Sequence, residues 1–108
     1  MAEMEIAEIM REIPKHFNPE MAEGISASVQ CLFSGDQASN WVLKIENQTC
    51  TVKEEKIEDP DISIRVDAED GIKILMQELD PMRAFTLGKV KVNGNLGLGM
   101  KLIKLFTV

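Results

Sequence analysis

The chain has 108 residues, 44% of them hydrophobic and 28% charged, enough for one globular domain of ~100 to 150 residues and too few for a two-domain enzyme. Aromatic residues are scarce, at 5% with one Trp, four Phe and no Tyr, which argues against a stacking platform for nucleic-acid bases. The net charge of -6 averages two unlike stretches: residues 1–80 carry all the acid, whereas residues 81–108 hold Arg83, Lys89, Lys91, Lys101 and Lys104 and no acid, a balance unlike the basic footprint of a nucleic-acid module.

Ile6, Ile9, Met10 and Ile13 recur at helical spacing among Glu5, Glu8, Arg11 and Glu12, so the N-terminus reads as an amphipathic helix that Pro14 ends or kinks. No signal peptide opens the chain, and no run of 18 apolar residues follows. Asn18 caps a short turn over 20–23, closed by Gly24. From Ile25 to Phe33 the alternation sets Ile25, Ala27, Val29, Cys31 and Phe33 on one face and Ser26, Ser28 and Gln30 on the other, a half-buried strand. After Ser34-Gly35-Asp36, Trp41, Leu43 and Ile45 point inward on a second strand, and Asn47-Gln48 leads to a third through Cys50 and Val52. Three strands with short turns make an antiparallel meander.

An acidic loop with Pro60 precedes a fourth strand, on which Ile62, Ile64 and Val66 alternate with Ser63 and Arg65. The period then changes. Over Ala68 to Leu79, Ile72, Leu75, Met76 and Leu79 share one helical face, with Asp67 as N-cap. Asp80-Pro81 starts a short helix ending at Gly88, a fifth strand places Val90 and Val92 inward, and a last helix runs from Leu96 to Phe106. Strands and helices are largely segregated, which predicts an α+β fold with helices on one face of a mainly antiparallel five-stranded sheet, in a single domain over 1–108.

The last helix is too apolar for one sheet to bury. Leu96, Leu98, Met100, Leu102, Ile103, Leu105 and Phe106 cover roughly 220° of its circumference, with Lys101 and Lys104 on the polar edge. The excess surface must meet another helix, a partner chain, a bilayer or an apolar ligand.

An inventory of reactive groups argues against an enzyme. His16 is the only histidine, no G-x-S-x-G elbow supplies a serine, and Glu12 with His16 is a weak metal pair. The acidic pairs Glu54-Glu55, Glu58-Asp59 and Glu69-Asp70 read as solvated charges. Gly94, Gly97 and Gly99 run in the order G-x-x-G-x-G, not that of a dinucleotide cradle. Cys31 and Cys50 read as small buried hydrophobes of a reduced, cytoplasmic chain. No cofactor is expected.

Several fragments in order carry a resemblance: Phe17-Asn18-Pro19-Glu20, Trp41-Val42-Leu43-Lys44-Ile45, Pro60-Asp61-Ile62-Ser63-Ile64, Leu79-Asp80-Pro81, Ala84-Phe85, and Gly88-Lys89-Val90-Lys91-Val92-Asn93-Gly94-Asn95-Leu96-Gly97-Leu98-Gly99-Met100-Lys101-Leu102. Together they resemble the sterol carrier protein type 2 family of lipid-binding domains. Departures from its pattern are Glu46-Asn47-Gln48 in place of an Asp-Gly hairpin, Gln77-Glu78 where Gly is common, Ile103 in place of an amide, and Phe106-Thr107-Val108 in place of a peroxisomal S-K-L type tail.

The resemblance implies a sheet, a helical layer and an apolar tunnel between them, and non-catalytic binding and transfer of a fatty acid, acyl-CoA, phospholipid or sterol-like lipid. Such a tunnel would be lined from the helical side by Ile72, Leu75, Met76, Met82, Phe85, Leu98, Leu102, Ile103, Leu105 and Phe106, with Phe33 and Leu43 below on the sheet. Lys101 and Lys104, with Lys89 and Lys91 near the same end, would touch lipid headgroups at an anionic membrane surface. The competing reading is an interaction module that docks its last helix on a lipid- or quinone-processing enzyme. The residues do not set an oligomeric state.

Overall fold

Hydrophobic alternation at five places becomes five strands of one sheet. The computed structural model describes residues 5–105, with backbone alone at 103 and 104. The strands are β1 (Ala27–Ser34), β2 (Ser39–Glu46), β3 (Thr49–Lys53), β4 (Ile62–Asp67) and β5 (Val90–Gly94), arranged β3-β2-β1-β4-β5. Three neighbouring pairs are antiparallel and β1 with β4 is parallel, so the sheet is mixed but mostly antiparallel, as the meander predicts. The two-residue β2–β3 turn puts Asn47 and Gln48 at φ 52° and 59°, the left-handed pair that a primed hairpin turn needs. Gln48 Nε2 donates to the Pro19 carbonyl at 3.0 Å.

Four helices cover one face: α1 (Ile6–Glu12), α2 (Ala68–Leu75), α3 (Pro81–Thr86) and α4 (Leu96–Leu105). Their starts are written in side chains that accept otherwise orphaned N–H groups. Asp67 accepts from Glu69 N, Asp80 from Arg83 N and Asn95 from Leu98 N, at 3.0 to 3.1 Å. Pro14 ends α1 as an α-helix, and the chain continues through a 3-10 turn over Ile13–His16. Gly94, at φ 117°, lets β5 turn into α4 where a Cβ would stand 2.6 Å from the Asp61 carbonyl oxygen.

Two departures from the sequence expectation matter for the site. The α2 helix stops at Leu75, not Leu79. Gln77 takes φ 62°, and Gln77 N and Glu78 N donate to the carbonyls of Ile74 and Lys73 at 3.0 and 2.7 Å, the paired bonds of a Schellman ending. Gln30, expected on the solvent face of β1, is 2% exposed. Its Nε2 donates to the carbonyls of Trp41 and Glu55 at 2.8 and 2.9 Å, and its Oε1 accepts from Ile57 N at 2.7 Å. Segment 54–61 therefore crosses the outer face of the sheet on its way from β3 to β4, pinned again where Asp61 Oδ2 accepts from Ser28 N at 2.8 Å. The acidic side chains of that segment are exposed; only its backbone serves Gln30.

The core lies between sheet and helices. Trp41, Ile45, Ile62, Met10 and Ile6 are at most 2% exposed. Trp41 Nε1 donates to Ser39 Oγ at 2.8 Å, and the Arg11 guanidinium stands 5.8 Å from the centroid of its ring, so α1 closes the β2 side of the layer.

Candidate functional site

On the β4–β5 side the helices stand away from the sheet and enclose a cavity of about 640 Å³, within the ~300 to 1,000 Å³ typical of small-molecule sites. Strand alternation builds its floor. Val29, Cys31 and Phe33 of β1, Leu43 of β2, Ile62, Ile64 and Val66 of β4, and Val90 and Val92 of β5 line it. Met10 and Ile13 close one end, and α2 contributes Gly71, Ile74 and Leu75. Gln77, Leu79, Asp80 and Pro81 follow from the turn into α3, then Met82 and Phe85, and Leu96, Gly99, Met100 and Leu102 come from α4.

Burial separates the interior from the mouth. Floor residues such as Val29, Phe33 and Ile62 are nearly inaccessible, whereas Met82, Phe85, Leu96 and Met100 line the same cavity yet are 41 to 54% exposed. Exposed large apolar side chains of this kind mark an opening, not a sealed core. Methionine at two of these positions lets the rim adapt to ligands of different shape.

The interior has little reactive chemistry. Burial, with Cys50 nearby, pushes the Cys31 thiol up to about 12, and burial pushes Cys50 up to about 11. Both are free, protonated thiols at neutral pH and therefore poor nucleophiles. His16 is exposed at the end of its 3-10 turn and is not part of the lining. Among the described residues no group of three or more His, Cys, Asp or Glu could hold a metal ion, and no helix is long and apolar enough to cross a membrane. What the arrangement can do is remove an apolar molecule from water.

Of the residues singled out in the sequence, Phe33, Leu43, Leu75, Met82, Phe85 and Leu102 line this cavity together. Ile72 and Leu98 instead pack against the buried core, Leu105 is 1% exposed within it, and Met76 faces outward beyond the end of α2. Leu105 also fixes the N-terminal region through its carbonyl, which accepts from Asn18 N at 2.8 Å. Phe106 and the side chains of Ile103 and Lys104 lie outside the described residues. Lys89 and Lys101 are exposed; Lys91 is too, but it stands on the outer face of the sheet across from Arg65, opposite the side to which Val90 and Val92 turn.

Sequence reasoning passed over much of the lining, including the inner residues of β4 and β5, Gly71, the rim residues Leu96 and Met100, and the polar pair Gln77 and Asp80. The alternating residues of β4 and β5 carried the needed signal, since the whole inner face of a sheet faces whatever covers it. Gly71 carried none: its helix face meets the cavity because it lacks a side chain, a property that a count of apolar residues does not register.

Residues 8–107 match the model of the SCP-2 sterol transfer family. Hydroxysteroid dehydrogenase-like protein 2 of Xenopus laevis is 31% identical over 101 residues, which cover 93% of this chain and 24% of that protein; the chain thus spans about a quarter of that relative. Among solved structures, the sterol carrier protein domain 2 of Helicoverpa armigera superposes with a TM-score of 0.72 at 27% identity, covering 91% of this chain and 80% of that one. Sterol carrier protein 2 of Aedes aegypti, solved in complex with palmitate, gives 0.73 at 16% identity, covering 98% and 97%.

Proposed function

The chain belongs to the SCP-2 sterol transfer family, and on that premise we propose that it binds one apolar lipid in the cavity under α2, α3 and α4 and passes it on without catalysing a reaction on it. One observation carries this reading: a 640 Å³ cavity with aliphatic, methionine and phenylalanine walls that opens through an exposed apolar rim.

The energetics favour an occupant. Closed and dry, a void of this size at ~24 cal/mol per Å³ would cost about 15 kcal/mol, the upper end of the ~5 to 15 kcal/mol that holds a whole domain together. Water is a poor filling because an apolar wall offers it no partners. A 16-carbon chain recovers ~0.8 kcal/mol per methylene, about 12 kcal/mol, against association costs of ~4 to 15 kcal/mol. Micromolar or weaker binding is the outcome, which suits a carrier that must release its cargo.

The ligand classes are those of the family, fatty acid, acyl-CoA, phospholipid or sterol-like lipid; the palmitate held by the mosquito protein belongs to that protein. Loading would take place with the rim of Met82, Phe85, Leu96 and Met100 pressed on a membrane, Lys89 and Lys101 drawn to anionic headgroups, in the cytoplasm. The frog relative is named for a hydroxysteroid dehydrogenase, but this chain matches 24% of it, and that activity plays no part in this reading.

Native mass spectrometry and organic extraction of the freshly isolated protein test it. One extractable lipid per chain is expected, together with displacement of a fluorescent fatty acid and loss of that binding in Met82→Asp, whose position is exposed enough for the fold to survive. A protein free of lipid that binds no probe, isolated instead with a stoichiometric protein partner, would favour the docking module.

A further inference from the structure

Within this reading, we propose that Asp80 is a specificity-determining residue: it turns negatively charged heads away from the mouth and favours an apolar ligand whose polar end donates a hydrogen bond, a long-chain alcohol above all.

Among the described residues the lining contains two side chains with nitrogen or oxygen, Gln77 and Asp80, and no lysine, arginine or histidine. Both are exposed on the turn between α2 and α3, so a polar end that lies against the described lining meets them there. Like charges at short range repel, and a fatty-acid carboxylate arriving there meets another carboxylate. The cations nearest in sequence, Lys73, Arg83 and Lys89, are exposed and outside the lining. The N-terminus of α3 offers an anion little. Pro81 has no N–H, and Arg83 N already donates to Asp80 Oδ2 at 3.0 Å, so Asp80 occupies the place that an anionic head would take. Its Oδ1 and the amide oxygen of Gln77 are acceptors for a hydroxyl.

Competition against a neutral fluorescent probe, Nile red, measures this with dodecanol and laurate at neutral pH. Wild-type protein will prefer dodecanol. That preference alone also reports the desolvation of any carboxylate, so the informative quantity is its change in Asp80→Asn, a substitution that keeps an N-cap. The preference should shrink roughly three- to ten-fold, the size of one like-charge contact at a solvent-exposed rim, mainly through tighter laurate binding. Glu78→Gln, which removes an exposed acid two residues away and outside the lining, should leave it unchanged. An unchanged preference in Asp80→Asn, or an equal loss in Glu78→Gln, overturns the role of Asp80 while leaving the carrier reading intact. Failure of both ligands to displace the probe from a probe-binding protein, or no probe binding at all, overturns the carrier reading and this inference with it.

Discussion

Gly71 of α2 lies directly over Phe33 of β1: a Cβ at position 71 would stand 2.8 Å from Phe33 Cε1 and 3.2 Å from Cδ1. Helix and sheet meet here at the edge of the cavity that both residues line, and the closeness of the approach sets how much room is left beside it. In Gly71→Ala the gain in helix propensity of ~1 kcal/mol is opposed by a clash costing ~1 to 3 kcal/mol. Phe33 lines the cavity, so its ring can relieve that clash by swinging into it. Stability should therefore fall by no more than about 2 kcal/mol while probe affinity falls several-fold, as measured by urea unfolding beside fluorescence titration. Unaltered affinity would show that the ring moves elsewhere.

Gln30 holds segment 54–57 to the outer face with two hydrogen bonds, to the Glu55 carbonyl and from the Ile57 N–H, and donates a third to the Trp41 carbonyl of β2. Gln30→Leu fills the same space but leaves the Glu55 carbonyl and the Ile57 N–H without that partner, at ~1 to 3 kcal/mol for each buried group left unpaired. A loss of about 2 to 4 kcal/mol in urea unfolding is expected, together with faster hydrogen exchange at the Ile57 amide. A loss below about 0.5 kcal/mol would mean that water serves these groups equally well.

Gln77 is a non-glycine residue at the left-handed position that ends α2. The left-handed region costs an L-residue ~1 to 2 kcal/mol that glycine does not incur. Gln77→Gly should raise stability by about 1 kcal/mol, and the midpoint of thermal unfolding by ~4 to 8 °C for a domain of this size. Calorimetry decides, and a lowered midpoint would show that the Gln77 side chain contributes more than its backbone costs.

The Cys31 thiol is raised from 9.0 to about 12 by its burial. Between those values the unfolded chain gives up the proton while the folded chain keeps it, so the unfolded state binds fewer protons and stability falls as pH rises from about 9 toward 12. The contribution is fully present below pH 9. Urea unfolding at pH 8 and pH 10.5 should show the decline, and Cys31→Val should lessen it, leaving the part due to Cys50, which burial raises to about 11. In the same pH 8 buffer the folded protein should leave Cys31 unalkylated by iodoacetamide.

Loading should be visible in stability. A ligand at one hundred times its Kd adds ~2.7 kcal/mol, which corresponds to a rise of about 10 °C or more in the unfolding midpoint. Organic extraction of the isolated protein should lower the midpoint and adding lipid back should restore it. Identical midpoints before and after extraction would speak against occupancy.

Local chemistry made much of the architecture legible. Alternation in Val29, Cys31 and Phe33, and again in Ile62, Ile64 and Val66, specifies strands with one buried face, because successive side chains must point to opposite sides. Asp67 and Asp80 announce the starts of α2 and α3, because a short acceptor beside free N–H groups is a local interaction. The surplus of apolar area on α4 pointed to something left to bury; Leu102 lines the cavity and Leu105 fills the core. Three features needed the tertiary structure. The parallel pairing of β1 with β4 depends on a crossing segment whose anchor, Gln30, looks in sequence like any solvent-facing polar residue. The cavity face of α2 runs through Gly71, Ile74 and Leu75, not through Ile72 and Met76, because Gly71 lets the helix settle on Phe33 and Gln77 ends it a turn early. Where apolar groups enclose space instead of one another is decided by the distances between whole elements, and those are set only when every element is packed at once.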